Sequence, residues 1–87
     1  AKTDLEQVSN EWGELEKSSN GWRFLGWQLH NAYMERNDLA RGLEVGQQLK
    51  NSGLNSIDLQ KNLIVAAFET DQVEEARELY AEFKQLD

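Results

Sequence analysis

The chain has 87 residues, a net charge of −7, no cysteine and no proline. This length corresponds to one small domain or to a piece of a larger one, and the missing cysteines exclude a disulfide framework and thiolate metal sites. The acidic excess disfavours nucleic acid and anionic membrane surfaces as partners and favours a basic or apolar one. No apolar run reaches the roughly 18 residues of a membrane span. The cysteine-free composition fits the cytoplasm, which we favour, and also an exported protein.

The first predicted helix opens at a capping box formed by Thr3 and Glu6. Apolar residues then follow at helical spacing: Leu5, Val8, Trp12 and Leu15. The cluster at 18–21, Ser-Ser-Asn-Gly, predicts the end of this helix and a turn.

The second predicted helix, from about Trp22 to Glu35, has two apolar faces. One face carries Trp22, Leu25, Gly26, Leu29, Ala32 and Tyr33, and the opposite face carries Phe24, Trp27 and Met34. An ordinary surface helix has a single apolar stripe. We therefore expect this helix to lie between two neighbours.

The third predicted helix is capped by Asn37 or Asp38 and contains two glycines on its inner stripe. That stripe comprises Leu39, Gly42, Leu43, Val45, Gly46 and Leu49. A glycine inside a helix costs about 1 kcal/mol relative to alanine. Close helix approach against Trp22 or Tyr33 of the second helix would offset this cost at Gly42 and Gly46.

Two further helices follow the polar segment at 51–56. The fourth predicted helix carries Ile57, Leu63, Ile64, Ala67 and Phe68. Like the second helix it has two apolar flanks, so we expect neighbours on both sides: Ile57, Ile64 and Phe68 lie on one flank, and Leu59, Leu63 and Ala66 lie towards the other. Asp71 with Glu74 indicates a capping box for the fifth helix, whose apolar residues are Val73, Ala76, Leu79, Tyr80, Phe83 and Leu86.

The last four helices form two similar hairpins, because two- or three-residue links require antiparallel neighbours. Tyr33 aligns with Phe68 at a spacing of 35, and four later pairs align at 34: Leu39–Val73, Gly42–Ala76, Val45–Leu79 and Leu49–Phe83. One residue is thus lost in the second turn. A period of 34–35 is typical of tetratricopeptide-type solenoids. We predict a single all-α domain, a right-handed stack of a leading helix (1–20) and two hairpins (21–52 and 53–87).

The hairpins resemble two related repeat families. Residues 22–29, WRFLGWQL, resemble the tetratricopeptide opening W-x2-L-G-x2-Y, with Leu29 in the tyrosine place. Residues 49–83 resemble a pentatricopeptide motif through "VEEA" and an Asn-containing helix, although Ser56 replaces its usual proline and Asp71-Gln72 its turn glycine. The first resemblance implies peptide or protein binding. The second implies single-stranded RNA binding, with Asn62 at the base-reading position.

Few residues of the chain suggest catalysis. His30 is the only histidine, which we expect to be largely exposed on the surface of the second helix. The glycines at 42 and 46 lie in a helix and form no phosphate loop, and the serines at 18, 19, 52 and 56 serve as caps. We therefore expect neither an enzyme nor a bound cofactor or metal.

The sequence thus predicts a protein-interaction module that binds a basic or amphipathic segment. Two sets of candidate binding residues are Phe24, Trp27 and Met34 on the second helix and Glu74, Glu78 and Glu82 on the fifth. Other interpretations are that Trp12 and Leu15 cover the aromatic set and that the glutamates form a solvated face. Alternative functions are a short RNA-binding pentatricopeptide fragment and a scaffold that self-associates as a homodimer.

Overall fold

The computed structural model describes residues 5–54 and 56–85, which form five helices and, within these ranges, no strand. The helices are α1 (Leu5–Gly13), α2 (Asn20–Glu35), α3 (Leu39–Asn51), α4 (Ile57–Glu69) and α5 (Val73–Gln85). Each packs mainly on the next along the chain. The all-α class and the five helices are confirmed. In this part of the chain, no helix has the length and apolar character needed to cross a bilayer.

Two serines begin helices as predicted. The Ser19 Oγ accepts a hydrogen bond from the Trp22 amide at 3.1 Å, and the Ser56 Oγ accepts one from Leu59 at 3.3 Å. Because Ser19 is the cap, α2 begins at Asn20, two residues before the predicted start. Asp38 precedes α3 but makes no side-chain cap. The Thr3 capping box lies outside the described residues.

Three helices end in the same way. After α2, the Asp38 amide donates to the Tyr33 carbonyl, and Asn37 has a left-handed φ of 60°. The equivalent bonds join Leu54 to Leu49 and Gln72 to Ala67, with Gly53 at 101° and Asp71 at 61° in the left-handed positions. Asparagine, aspartate and glycine are the residues that tolerate this conformation best. The predicted capping role of Asp71 is therefore wrong, because its backbone terminates α4 instead.

The two hairpin turns have equal length. The first turn has a hydrogen bond from the Asp38 amide to the Tyr33 carbonyl, and the second has one from Gln72 to Ala67. The two donors are 34 residues apart, and so are the two acceptors. Tyr33 consequently corresponds to Ala67, and the predicted match of Tyr33 with Phe68 at a spacing of 35 is wrong. No residue is lost in the second turn.

Trp12 makes the central contact between α1 and α2, and Leu5 and Val8 also pack on the core. The Trp12 indole N–H donates to the Trp22 carbonyl at 2.8 Å, and the two indoles stack with centroids 5.0 Å apart. A Cβ at Gly26 would lie 2.7 Å from Trp12 Nε1, so this glycine permits the contact. Because α1 ends at Gly13, Leu15 lies beyond the helix and is exposed.

The core runs through all five helices, but α4 and α5 leave apolar residues outside it. The buried apolar residues are Leu5, Trp12, Trp22, Leu29, Tyr33, Leu43, Val45, Leu49, Leu59, Leu63, Ala66, Ala67, Ala76 and Leu79. Ile57 and Phe68 are more than half exposed, so the expectation that both apolar flanks of α4 are covered is wrong. Val73 and Tyr80 of α5 are exposed as well, and Leu86 is not among the described residues.

Candidate functional site

His30 lies in the core, and the prediction that it is exposed is wrong: its exposed fraction is 0 %. Its Nδ1–H donates to the Gly42 carbonyl of α3 at 2.7 Å. Its Nε2 accepts a hydrogen bond from the Asn62 amide of α4 at 3.2 Å. One imidazole therefore joins three helices. The sequence conceals this role because both partners are distant along the chain.

The surroundings of His30 favour its neutral form. Burial lowers the pKa of His30 below its ordinary value of 6.5, and the hydrogen bond to the Gly42 carbonyl opposes this shift in part. A carbonyl only accepts and the Asn62 amide nitrogen only donates, so the ring carries its proton on Nδ1. The Trp27 indole stacks on the imidazole with centroids 5.6 Å apart. These contacts make His30 a structural residue.

The α3 glycines lie at close helix contacts, as predicted, but the nearest side chains are Met34, Leu63 and His30 and not Trp22 or Tyr33. A Cβ at Gly42 would lie 2.9 Å from the Met34 sulphur of α2, as expected for a helix crossing. At Gly46 it would lie 2.5 Å from Leu63 of α4 and 3.0 Å from the His30 ring. Gly46 therefore brings α4 against α3, a contact with the next hairpin that the sequence did not indicate.

Phe24 and Trp27 line an open groove at the N-terminal ends of α2 and α4. Phe24 is 69 % exposed, and Trp27 is partly buried. The remaining lining residues are Arg23, Leu54, Ser56 and Asp58. The lining thus combines two aromatic rings and an aliphatic side chain with one cation and one carboxylate. Leu54 and Asp58 are about 30 residues from Phe24 and Trp27 in the sequence and reach the groove only in the folded chain. Sequence reasoning therefore missed them.

Met34 lies apart from this groove. It is seven residues beyond Trp27, near the C-terminal end of α2, where its sulphur packs at Gly42. Met34 is partly buried against the core. The structure therefore joins Phe24 and Trp27 in one site and places Met34 in the α2–α3 contact. Trp12, proposed to cover all three, packs instead at Trp22 and Gly26.

The three glutamates lie on α5. Glu74 and Glu78 are exposed, whereas the Glu82 carboxylate forms an ion pair with Lys50 of α3 at 2.7 Å. Glu75, beside them, accepts a hydrogen bond from Gln47 of α3. Glu75 and Glu82 thus hold α5 to α3, while Glu74, Glu78 and about half of the Glu82 side chain remain accessible.

The described residues contain no cluster of three or more His, Asp or Glu side chains able to hold a metal ion. Asn62, the residue that the pentatricopeptide resemblance places at the base-reading position, uses its amide nitrogen on His30. The Phe24–Trp27 groove is an open aromatic site suited to non-covalent recognition.

Comparison with family models, with curated proteins and with solved structures found no match to this chain. The resemblance to tetratricopeptide and pentatricopeptide repeats consequently rests on the motifs at 22–29 and 49–83.

Proposed function

We propose that this chain is a protein-interaction module, a right-handed stack of tetratricopeptide-like hairpins that binds an amphipathic segment of a partner protein in the Phe24–Trp27 groove. The observation that carries this proposal is Phe24, a large aromatic residue 69 % exposed beside a second ring. Exposed aromatic residues at a groove are typical anchors of protein interfaces. Equal turns at a period of 34 support the repeat architecture.

The charge of the chain favours a basic segment. A net charge of −7 accelerates encounter with cations and opposes it with anions. Within the groove, Asp58 offers a carboxylate to a basic side chain while Phe24 and Trp27 accept an apolar one. Glu74 and Glu78 add exposed acidic charge on α5.

RNA binding is the weaker proposal. Affinity for nucleic acid depends on basic side chains that neutralise phosphates, and the chain has nine such residues against sixteen acids. Lys50 is already paired with Glu82, and Arg41 lies 3.4 Å from Asp38. We therefore expect no RNA binding at physiological salt.

A peptide titration tests the proposal. A fluorescent amphipathic peptide with lysines beside a leucine stripe should bind the protein, and Phe24→Ser should weaken this binding about tenfold. Phe68→Ser is the matched control, since it removes an exposed phenylalanine from another surface. Equal affinities for the wild type and Phe24→Ser would reject the groove. Micromolar binding of mixed single-stranded RNA, weakening steeply with salt, would support the pentatricopeptide alternative.

A further inference from the structure

A second apolar surface lies on the exposed side of the α4–α5 hairpin. It is formed by residues spaced seven or four apart along each helix, so that they share one stripe. We call it the end face; its members are Ile57, Ile64, Phe68, Val73 and Tyr80. Four of them are 41–55 % exposed, and Ile64 is half-buried.

The first hairpin shows what normally covers such a surface. At the spacing of 34 that relates the two turns, Ile64 corresponds to His30 and Tyr80 to Gly46. His30 is bonded to Asn62 of α4, and Gly46 lies against Leu63 of α4. The face that α4 covers on the first hairpin is therefore bare on the second. By this equivalence, a helix that packs as α4 packs on His30 and Gly46 would cover the end face.

Basic residues alternate with the apolar ones on the end face. Lys61, Arg77 and Lys84 each follow an apolar member by four residues, and no acidic residue occupies these stripes. The Lys84 ammonium lies 5.5 Å from the centre of the Tyr80 ring. In a chain of net charge −7, this is a local excess of positive charge.

The counterpart of Lys84 indicates the partner group. Lys84 corresponds to Lys50, whose ammonium pairs with the Glu82 carboxylate of the following hairpin at 2.7 Å. By this equivalence, Lys84 is placed to pair with a carboxylate of whatever covers the end face. The apolar members would supply contact area and the basic ones orientation.

We propose that the end face binds an amphipathic helix of another protein that carries carboxylates beside its apolar stripe. A second copy fits less well, because pairing through the same face brings Lys61, Arg77 and Lys84 against their own equivalents. This proposal does not depend on the groove, since none of its members lines that site.

Two matched helical peptides test the proposal. Both have the same leucine stripe over about four turns, and they differ only in flanking glutamates or lysines. Fluorescence anisotropy should show that the glutamate peptide binds the wild type and that Phe68→Ser weakens it about tenfold. Lys84→Glu should lower the affinity for the glutamate peptide and leave the affinity for the lysine peptide unchanged or higher. The amide resonances whose NMR chemical shifts change on addition of the glutamate peptide should belong to α4 and α5.

Phe24→Ser separates the two proposals, because it should leave binding of the glutamate peptide unchanged. Failure of this peptide to bind, or an affinity insensitive to Phe68→Ser and Lys84→Glu, would overturn the end-face proposal whatever the groove does. Sedimentation that shows a dimer disrupted by Phe68→Ser would instead assign the face to a second copy. Circular dichroism of each variant confirms that it is folded.

Discussion

The two hairpins, α2–α3 and α4–α5, have the same turn geometry but different surroundings. Their turns use equivalent hydrogen bonds at a spacing of 34 along the chain. The first hairpin is covered by α1 on one side and by α4 on the other, and its contacts with α4 include the small Gly46 and the polar His30. The second hairpin has exposed Tyr80 and half-buried Ile64 at these two positions. Similar local sequence signals therefore produce the same hairpin turn. The side chains on the outer faces differ according to whether another helix covers the face.

The sharpest test of this difference is Gly46→Leu. The new Cβ would lie 2.5 Å from Leu63 and 3.0 Å from His30, so overpacking should reduce the free energy of unfolding by about 3 kcal/mol. This should lower the melting temperature by roughly 10 °C or more. The counterpart Tyr80→Leu changes an exposed residue, and we expect its melting curve to resemble that of the wild type. Equal effects at both positions would show that the hairpins are not differently packed.

Gly42→Leu tests the crossing inside the first hairpin. We expect a loss of about 1–3 kcal/mol in the free energy of unfolding, smaller than at Gly46 because the contacted atom, the Met34 sulphur, is at the end of a flexible side chain. Gly42→Ala copies Ala76 of the second hairpin and is the matched control. Its gain in helix propensity should offset most of the contact. If urea titration shows that Gly42→Leu stabilises the protein, the close-approach argument is wrong.

Much of the fold was predictable because its signals are local. Hairpin turns, the Ser19 and Ser56 positions and the inner stripe of α3 follow from residues near one another in sequence. Phe24 and Trp27 were identified from one helix face, whereas Asp58 joined their groove only through the fold.

His30 shows why the rest was not predictable. An imidazole among apolar neighbours is compatible with a surface or with a core, and the outcome depends on partners 12 and 32 residues away. The exposed Phe68 has the opposite lesson. Helical spacing identifies an apolar face but does not reveal whether another helix covers it.

A pH titration tests the buried contact that distinguishes the first hairpin, and its effect should be smaller than that of overpacking. Well above pH 6.5, His30 is neutral in both the folded and the unfolded chain. Since burial lowers the folded pKa, the unfolded chain binds a proton first as the pH falls below 6.5, and stability decreases until the folded pKa is passed. Urea unfolding at pH 7.5 and 5.5 should show this loss. In His30→Gln, which removes the only histidine, the free energy of unfolding should depend less on pH. An equal pH dependence in this variant and the wild type would contradict the assignment of the effect to buried His30.

The smallest expected effect concerns the turns, where the hairpins are most alike. Asp71 has a left-handed φ of 61°, which costs an L-residue free energy that glycine avoids. Asp71→Gly should therefore stabilise the protein by about 0.5–1 kcal/mol, and Asn37→Gly in the first hairpin by a similar or smaller amount. The converse change, Gly53→Ala, should lower the free energy of unfolding by about 1 kcal/mol, because φ is 101° at this position. A new Cβ would meet nothing within 4 Å, so the cost reflects backbone strain alone. Thermal unfolding monitored by circular dichroism measures all three. Stability changes of opposite sign for Asp71→Gly and Asn37→Gly would show that the two turns differ in energy despite their equal hydrogen bonds. A Gly53→Ala variant as stable as the wild type would show that backbone strain does not explain the glycine at this position.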